Sequence, residues 1–174
     1  MTLPGGWRQM EAADIAAVSA ISDAVHGPFT EDAEIYAERL ALYPAGCFVL
    51  ERQERISGYL ITHPWHAATP PPLNRPVGAM PADADCYYLH DLALLPEARG
   101  CGAGRAAADC ALRAARAAGQ DTILLIAVGG AEAFWKRQGF AAIAGRRDDA
   151  GKSSYGEESV LMRRPVCAGD RDRL

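Results

Sequence analysis

A glycine-rich segment stands between an apolar run and an alanine-rich stretch, and it reads Arg99-Gly100-Cys101-Gly102-Ala103-Gly104-Arg105. Glycine lets the backbone turn tightly and lets a ligand come close to the main chain. The alanine-rich stretch from Gly104 to Ala118 predicts a helix, and the amides of a helix's first turn have no partner within the helix. Such amides, together with the charged donors of Arg99 and Arg105, are typical of a site for an anion such as a pyrophosphate.

The glycine-rich segment has several competing interpretations. A dinucleotide site of the Rossmann kind has the spacing Gly-x-Gly-x-x-Gly directly after a first strand. Here the spacing is Gly-x-Gly-x-Gly, and Pro96–Arg99 separates it from the preceding strand. A P-loop requires Gly-Lys-Ser or Gly-Lys-Thr, and neither follows here. On the residues alone, an anion site and a turn without a ligand both stay open.

Two titratable residues, His90 and Asp91, are neighbours in the apolar run Tyr87–Leu95. Either type of side chain can take a proton from a reacting group, and histidine does so with an ordinary pKa near neutrality. Side chains alternate across a regular strand, so we expect the two to point to opposite faces, with only one of them in a cleft. The alternative for both is a structural hydrogen bond in or beside the sheet.

Hydrophobic periodicity predicts a mixed α/β fold with strand-helix-strand order in its second half. The predicted helices are Asp14–His26, Thr30 to about Leu42, Gly104–Ala118 and Ala131–Gln138. The predicted strands are Trp7–Met10, Cys47–Leu50, Ile56–Thr62, Tyr87–Leu95, Thr122–Val128, Phe140–Ala144 and Ser159–Arg164. Residues 63–85 contain six prolines and predict a long inserted loop within a single domain spanning 1–166, followed by a frayed tail at 167–174.

Composition narrows the class of protein. The 174 residues, 49% of them hydrophobic and 23% charged, are enough for one domain with a full-sized core. The formal net charge of −4 disfavours a nucleic-acid-binding protein, because such domains usually carry a basic excess. No apolar run reaches the roughly 20 residues of a membrane span, and no signal-peptide pattern opens the chain, so we expect a cytoplasmic protein without a membrane partner. The five cysteines include no Cys-x-x-Cys pair, which predicts reduced thiols and no metal site.

Two motifs resemble those of the GNAT acetyltransferase superfamily. The glycine-rich segment resembles its Q/R-x-x-G-x-G/A signature, and Leu92–Ala98 resembles the run that precedes that signature. Ala131–Phe140 is similar to the family block A-x-x-l-Y-x-x-x-G-F, and the order of elements fits from Arg8 to Arg164. The resemblance implies the GNAT acyl-CoA N-acyltransferase fold, with a mixed central sheet splayed at the acetyl-CoA site and helices on both faces.

The resemblance also implies a reaction, the transfer of an acetyl group from acetyl-CoA to an amine by direct attack. The pantetheine arm of acetyl-CoA would enter between the strands at Tyr87–Leu95 and Thr122–Val128. The pyrophosphate of acetyl-CoA would rest on the glycine-rich segment. An amide near Leu94 would polarise the acetyl carbonyl. The cofactor-binding residues implied are Leu92, Ala93, Leu94, Arg99, Gly100, Cys101, Gly102, Ala103, Gly104, Arg105, Phe134 and Trp135.

For the proton of the amine, Asp91 is the first expected acceptor, because many relatives carry an acidic residue there, and His90 is the second. The sequence departs from the family at Trp135, where relatives carry a tyrosine that protonates the leaving thiolate. An indole cannot do this, so Tyr155 or water is expected to replace it. A second departure is Val128, where relatives often have asparagine.

Several alternatives remain open. One alternative is a non-catalytic acetyl-CoA sensor or partner-binding module, which the tryptophan supports, and another is a transferase of a longer acyl group. The acceptor can be a small amine, an N-terminal amine or a lysine, and the inserted loop favours a small one. Many relatives form homodimers, so the resemblance also leaves a homodimer open.

Overall fold

The computed structural model describes residues 4–143, 155–156 and 159–166. Within these residues, the strands are β1 (Trp7–Gln9), β2 (Cys47–Arg52), β3 (Arg55–Trp65), β4 (Cys86–Leu94), β5 (Thr122–Ala127), β6 (Ala141–Ala142) and β7 (Val160–Pro165). The helices are α1 (Ile15–His26), α2 (Ala33–Leu42), α3 (Ala103–Ala117) and α4 (Glu132–Arg137), with short 3-10 turns between elements. The strands form one sheet in the order β1-β2-β3-β4-β5-β7-β6, in which β4 and β5 run parallel and the other neighbours antiparallel.

Helices cover both faces of the sheet. On one face, Val18 of α1 and Tyr36 of α2 pack against Tyr59 and Ile61 of β3 and Ala93 of β4. On the other face, α3 lies over a larger core drawn from β2, β3, β4, β5 and β7. The predicted mixed sheet with helices on both faces is confirmed.

Helix α3 owes its close packing to alanine. Ala107, Ala111 and Ala115 recur every four residues on one face, and each is at most 1% exposed. The helix is bounded by two glycines in the left-handed region, Gly102 at φ +85° and Gly119 at φ +70°. It begins one residue before the predicted Gly104, because Gly102 rather than Ala103 is the cap.

Strands β4 and β5 separate after a short contact. Only Tyr87 and Tyr88 of β4 pair with β5, opposite Ile123 and Leu124, although β4 continues to Leu94. The side of β4 that faces β5 is therefore unpaired with that strand from Leu89 onwards. This is the predicted splay of the sheet.

Strand β3 is longer than predicted. Its pairing with β2 ends at Ile61, but its pairing with β4 continues through His63, Pro64 and Trp65. Proline is tolerated in this stretch because β3 has a partner on one side only there. The proline-rich loop therefore begins after Trp65 rather than at His63.

Helix α2 is shorter than predicted. It begins at Ala33, with Asp32 as its cap, whereas the acidic run from Thr30 was expected to form its first turn. Glu31 instead turns inwards and is 3% exposed. Ala144 of the predicted Phe140–Ala144 strand and the predicted tail at 167–174 lie outside the described residues.

Candidate active site

A cleft of about 430 Å³ opens where β4 and β5 separate. A volume of this size is in the range of small-molecule sites. Its lining combines apolar side chains from β4, β5 and α4 with a few titratable ones, among them His26, Glu31, His90, Asp91 and Tyr155. A second cavity, of about 600 Å³, lies beside the β2–β3 turn and has no histidine in its lining. The smaller cleft is therefore the candidate active site.

His90 and Asp91 both line this cleft, so the prediction that they point to opposite faces is wrong. The cause is a shift in the pairing of β3 with β4. Ile61 pairs with Asp91 and the next residue, Thr62, pairs with Leu89, which leaves His90 as an extra residue in β4. A bulge of this kind breaks the alternation of side chains, and it re-aims one of them.

Asp91 forms an ion pair with a histidine from α1. Nε2 of His26 lies 2.8 Å from one carboxylate oxygen, and the hydroxyl of Tyr59 donates to the other at 2.6 Å. Tyr36 donates to that second oxygen at 3.4 Å. Burial acts to raise the pKa of Asp91, but the charge of His26 and the hydrogen bonds from His26 and Tyr59 outweigh it and lower the pKa. The carboxylate is therefore ionised at neutral pH.

The pKa of His26 moves in the opposite direction. Burial acts to lower it, whereas the charge and hydrogen bond of Asp91, with a smaller contribution from Glu31, raise it above its ordinary value. His26 is thus charged over a wider pH range than a free histidine.

A second acid–histidine pair lies deeper. Nε2 of His90 is 2.8 Å from Glu31, and the two side chains are only 1% and 2% exposed. Burial acts to raise the pKa of Glu31, but the charge and hydrogen bond of His90 outweigh it and lower the pKa. The other oxygen of Glu31 accepts the amide N–H of Asn74 at 2.8 Å, so this pair also anchors the proline-rich loop.

The three glycines of the glycine-rich loop have different roles. Gly100 and Gly102 have φ values of +75° and +85°, and a Cβ built on either would meet no atom within 4 Å. Their backbone conformation requires glycine, and the space above them is open to a ligand. Gly104 instead packs against the ring of Phe134, which a Cβ would approach to 2.9 Å.

Three guanidinium groups surround this loop. Arg99 donates to the carbonyl of Leu94 at 3.0 Å, and Arg105 is exposed. Arg52, at the end of β2, lies 2.9 Å from the sulfur of Cys101, and this hydrogen bond lowers the pKa of the exposed thiol. Open glycine backbone, first-turn amides of α3 and three cations together fit a pyrophosphate.

The remaining predicted cofactor residues differ in what they can offer. Leu92 and Leu94 are half-buried beside the α3 core, whereas the side chain of Ala93 is fully buried on the opposite face. Ala93 can therefore reach a ligand only through its backbone, and Ala103 is likewise buried, with its carbonyl bonded to the Trp7 indole at 3.2 Å.

Trp135 is chiefly a core residue. It is 6% exposed, and its ring meets those of Phe134 and Phe140 edge-on, with centroids 4.9 and 5.3 Å apart. It also contributes to the lining of the cleft. Tyr155 lines the cleft as well, and its hydroxyl donates to the carbonyl of Pro71 at 3.2 Å. Burial raises the pKa of Tyr155 well above its ordinary value, so the phenol is protonated at neutral pH.

The sequence profile of the acetyltransferase (GNAT) family matches residues 16–140, which is most of the chain. The chain belongs to this family. Membership of this family makes the chain an acyltransferase of the GNAT type. A search of curated proteins finds no match.

Solved structures share the GNAT fold at low sequence identity. The GphF GNAT-like decarboxylase in complex with isobutyryl-CoA is 16% identical, with a TM-score of 0.72 over 92% of this chain and 99% of its own. The loading GNATL domain of CurA from Lyngbya majuscula is 13% identical, with a TM-score of 0.75 over 92% and 96%. The ribosomal-protein-S18-alanine N-acetyltransferase from Escherichia coli is 19% identical, with a TM-score of 0.65 over 95% and 96%.

Sequence patterns did not point to three residues of the site. His26, Glu31 and Tyr59 reach Asp91 and His90 from distances of 32 to 65 residues along the chain. In the sequence, His26 stands at the end of a predicted helix, just before Gly27 and Pro28. Its position therefore indicated a helix boundary and not a reacting group.

In the described part of the chain, no group of three or more His, Cys, Asp or Glu side chains is arranged to hold a metal ion. None of its helices is long and apolar enough to cross a membrane.

Proposed function

We propose that the protein transfers an acetyl group from acetyl-CoA to an amine of a small molecule or peptide, by direct attack of the amine. The observation that carries this proposal is the opening between β4 and β5. Two acid–histidine pairs line this opening, and the glycine-rich loop follows β4 along the chain. The loop suits the anionic end of an extended ligand, and the carboxylates of the two acid–histidine pairs suit a basic acceptor. The N-acetyltransferase among the structural neighbours gives this chemistry a precedent on the fold.

The residues around the opening fit an acyl-CoA. The backbone of Leu92, Ala93 and Leu94 lies beyond the last residue that pairs with β5, so its groups on that side of β4 are proposed to hydrogen-bond the pantetheine amides. The loop and its three guanidinium groups suit the pyrophosphate. When bound, acetyl-CoA supplies the acyl group as a reactive thioester. The amide near Leu94 is the proposed donor to the acetyl carbonyl, a contact whose removal costs roughly 3–4 kcal/mol.

The acceptor must lose a proton, because an alkyl amine has a pKa of about 10.4 in water. We propose that the two acid–histidine pairs of the cleft, Asp91 with His26 and Glu31 with His90, provide the group that takes this proton. The leaving thiolate takes its proton from Tyr155 or from water. Water suffices in principle, since a thiol has a pKa of only about 8.5.

The proline-rich loop supports a small acceptor. Leu73 of this loop lines the cleft, and hydrogen bonds of its neighbours Pro71 and Asn74 to Tyr155 and Glu31 hold it in place. Val77 and Gly78 also donate to Glu38 of α2, at 3.1 and 2.9 Å. A wall that is fixed at several points narrows the approach for a folded protein surface.

The test combines binding with turnover. Thermal unfolding is measured with acetyl-CoA, isobutyryl-CoA, free CoA and NAD, and thiol release is then followed on small amines and on peptides with a free N-terminus or lysine. At a ligand concentration of about 100 times Kd, binding adds about 2.7 kcal/mol of stability, which raises the melting temperature clearly. We expect stabilisation by the CoA species alone, and thiol release with at least one amine.

Other results would redirect the assignment. Stabilisation by acetyl-CoA without release on any amine favours the non-catalytic sensor, which Trp135 in place of the family tyrosine already suggests. Faster thiol release from a longer acyl-CoA than from acetyl-CoA would identify the longer acyl group as the one that the protein transfers. The absence of a shift with every CoA species contradicts the proposal.

A further inference from the structure

The two acid–histidine pairs of the cleft differ in their access to solvent. His90 and Glu31 are 1% and 2% exposed, whereas His26 and Asp91 are 18% and 12% exposed. Nδ1 of His90 is buried and has no hydrogen-bond partner among the described residues. An amine that enters the cleft can therefore meet His26 without rearrangement, but it cannot meet the unbonded nitrogen of His90.

Asp91 fixes the tautomer of His26. A carboxylate only accepts hydrogen bonds, so Nε2 of His26 carries the hydrogen that it shares with Asp91 at 2.8 Å. In the neutral ring, the lone pair is then on Nδ1. Within the described part of the chain, Nδ1 of His26 has no hydrogen-bond partner. His26 lines the cleft, and Nδ1 is the ring nitrogen that can accept a proton.

The carboxylate of Asp91 is itself held in place. One oxygen is bonded to His26, and the other accepts from Tyr59 at 2.6 Å and from Tyr36 at 3.4 Å. The hydroxyl of Tyr36 lies 2.6 Å from that of Ser22 in α1, which fixes this side of the network. Its donors and its lowered pKa make Asp91 a poor proton acceptor but a good support for a histidine.

We propose that His26 takes the proton of the acceptor amine, and that Asp91 acts through it as a positioning residue. This inference rests on the proposed function. The protonated amine first passes a proton to Nδ1 of His26, and the lone pair that this frees then bonds to the acyl carbon. The nitrogen loses its second proton to solvent as the amide forms. The carbon–sulfur bond breaks, and its electron pair leaves with the sulfur, which is then protonated by water or Tyr155. His26 finally releases its proton to solvent.

The charges that face His26 suit this role. Asp91 of β4 and Glu31 before α2 raise its pKa, while Arg99 after β4 acts to lower it. Tyr59 and Tyr36, which donate to Asp91, have pKa values raised by burial and so stay neutral at neutral pH. The raised pKa makes the neutral ring of His26 a stronger proton acceptor than a free histidine.

The experiment compares His26→Gln, Asp91→Asn and His90→Gln with the wild type, using an amine that the wild type acetylates. Glutamine keeps an N–H that can donate to the neighbouring carboxylate, and the thermal shift with acetyl-CoA checks that each variant folds and binds. We expect H26Q to lower kcat by about 10² to 10⁴-fold, and to lose the rise of kcat with pH that belongs to His26. In D91N that rise should move to lower pH, and in H90Q it should remain where it is.

A rescue measurement separates chemistry from packing. Free imidazole should restore part of the activity of His26→Ala, which a purely structural histidine would not allow. If H26Q keeps the wild-type kcat and pH profile, the assignment to His26 is overturned while acetyl transfer stands. Failure of the wild type to turn over any amine overturns the proposed function, and this assignment with it.

Discussion

The ion pair between His26 and Asp91 couples the stability of the fold to pH. The folded pKa of His26 is raised, so its contribution is complete below the ordinary histidine value of about 6.5 and is lost as pH rises through the folded value. The folded pKa of Asp91 is lowered, so its contribution is present above about 3.9 and is lost as pH falls through the folded value. The pair therefore stabilises the protein most in the mildly acidic range between these limits.

His26→Gln should consequently cost more stability at pH 5 than at pH 9. The measurement is urea unfolding of the wild type and the variant at intervals across this range, with the difference in unfolding free energy plotted against pH. His66→Gln serves as the control, because the ion-pair partner of His66 is the 88% exposed carboxylate of Asp83, at 3.5 Å. Exposed pairs contribute about 0–1 kcal/mol. A difference for H26Q that grew with pH would contradict the pairing.

Among the residues that line the cleft, the sequence pointed to His90, Asp91 and Tyr155 but not to His26 or Glu31. His90 and Asp91 were recognisable because a histidine and an aspartate are unusual in an apolar strand. His26 and Glu31 were not, because each looked like an ordinary residue at the boundary of a helix. Their roles depend on which strand the ends of α1 and α2 lie against, and that is a property of tertiary packing.

The two ends of helix α3 offer a matched pair of positions for testing the role of the glycine-rich loop. Gly102 and Gly119 bound the helix at its two ends with φ values of +85° and +70°, and a Cβ at either would meet nothing within 4 Å. Alanine at either position should cost about 1–2 kcal/mol, because L-residues are strained in the left-handed region. The two substitutions therefore match in their cost to stability, but only Gly102 lies in the loop.

We expect Gly102→Ala to weaken acetyl-CoA binding, and Gly119→Ala to leave the dissociation constant unchanged. The physical reason is that the added methyl group at Gly102 stands in the open space above the loop. Isothermal titration with acetyl-CoA, alongside urea unfolding of both variants, separates affinity from stability. Equal affinities in the two variants would show that the pyrophosphate does not rest on this part of the loop.

Most elements followed from local sequence. Apolar periodicity, with glycine and proline at the ends, gave the helices and strands to within a few residues. The extension of β3 through Pro64 and the extra residue at His90 did not follow, because both depend on how β3 pairs with β4. That register also decides the site, since it turns His90 and Asp91 to the same cleft.

The sheet that runs through the whole molecule has two antiparallel parts. Strands β1 to β4 form one part, strands β5, β7 and β6 form the other, and only two residues of β4 pair across the junction. The core beneath α3 joins the parts, since it contains Leu60 and Leu89 from the first and Ile123, Leu125 and Met162 from the second. A ligand in the opening would contact both parts beside this junction.

Hydrogen exchange should therefore respond locally to acetyl-CoA. Amides of residues 89–94, on the open side of β4, should exchange more slowly with ligand bound, by about 100-fold at a concentration 100 times Kd if exchange requires ligand release. Peptides from β2 and the first half of β3 should change only by global stabilisation, because they pair on both sides within the first part of the sheet. The ratio of the two effects, measured by mass spectrometry, reports where the ligand lies. Equal slowing in both regions would mean that the ligand stabilises the fold without entering the opening, and would remove the structural basis for the proposed reaction.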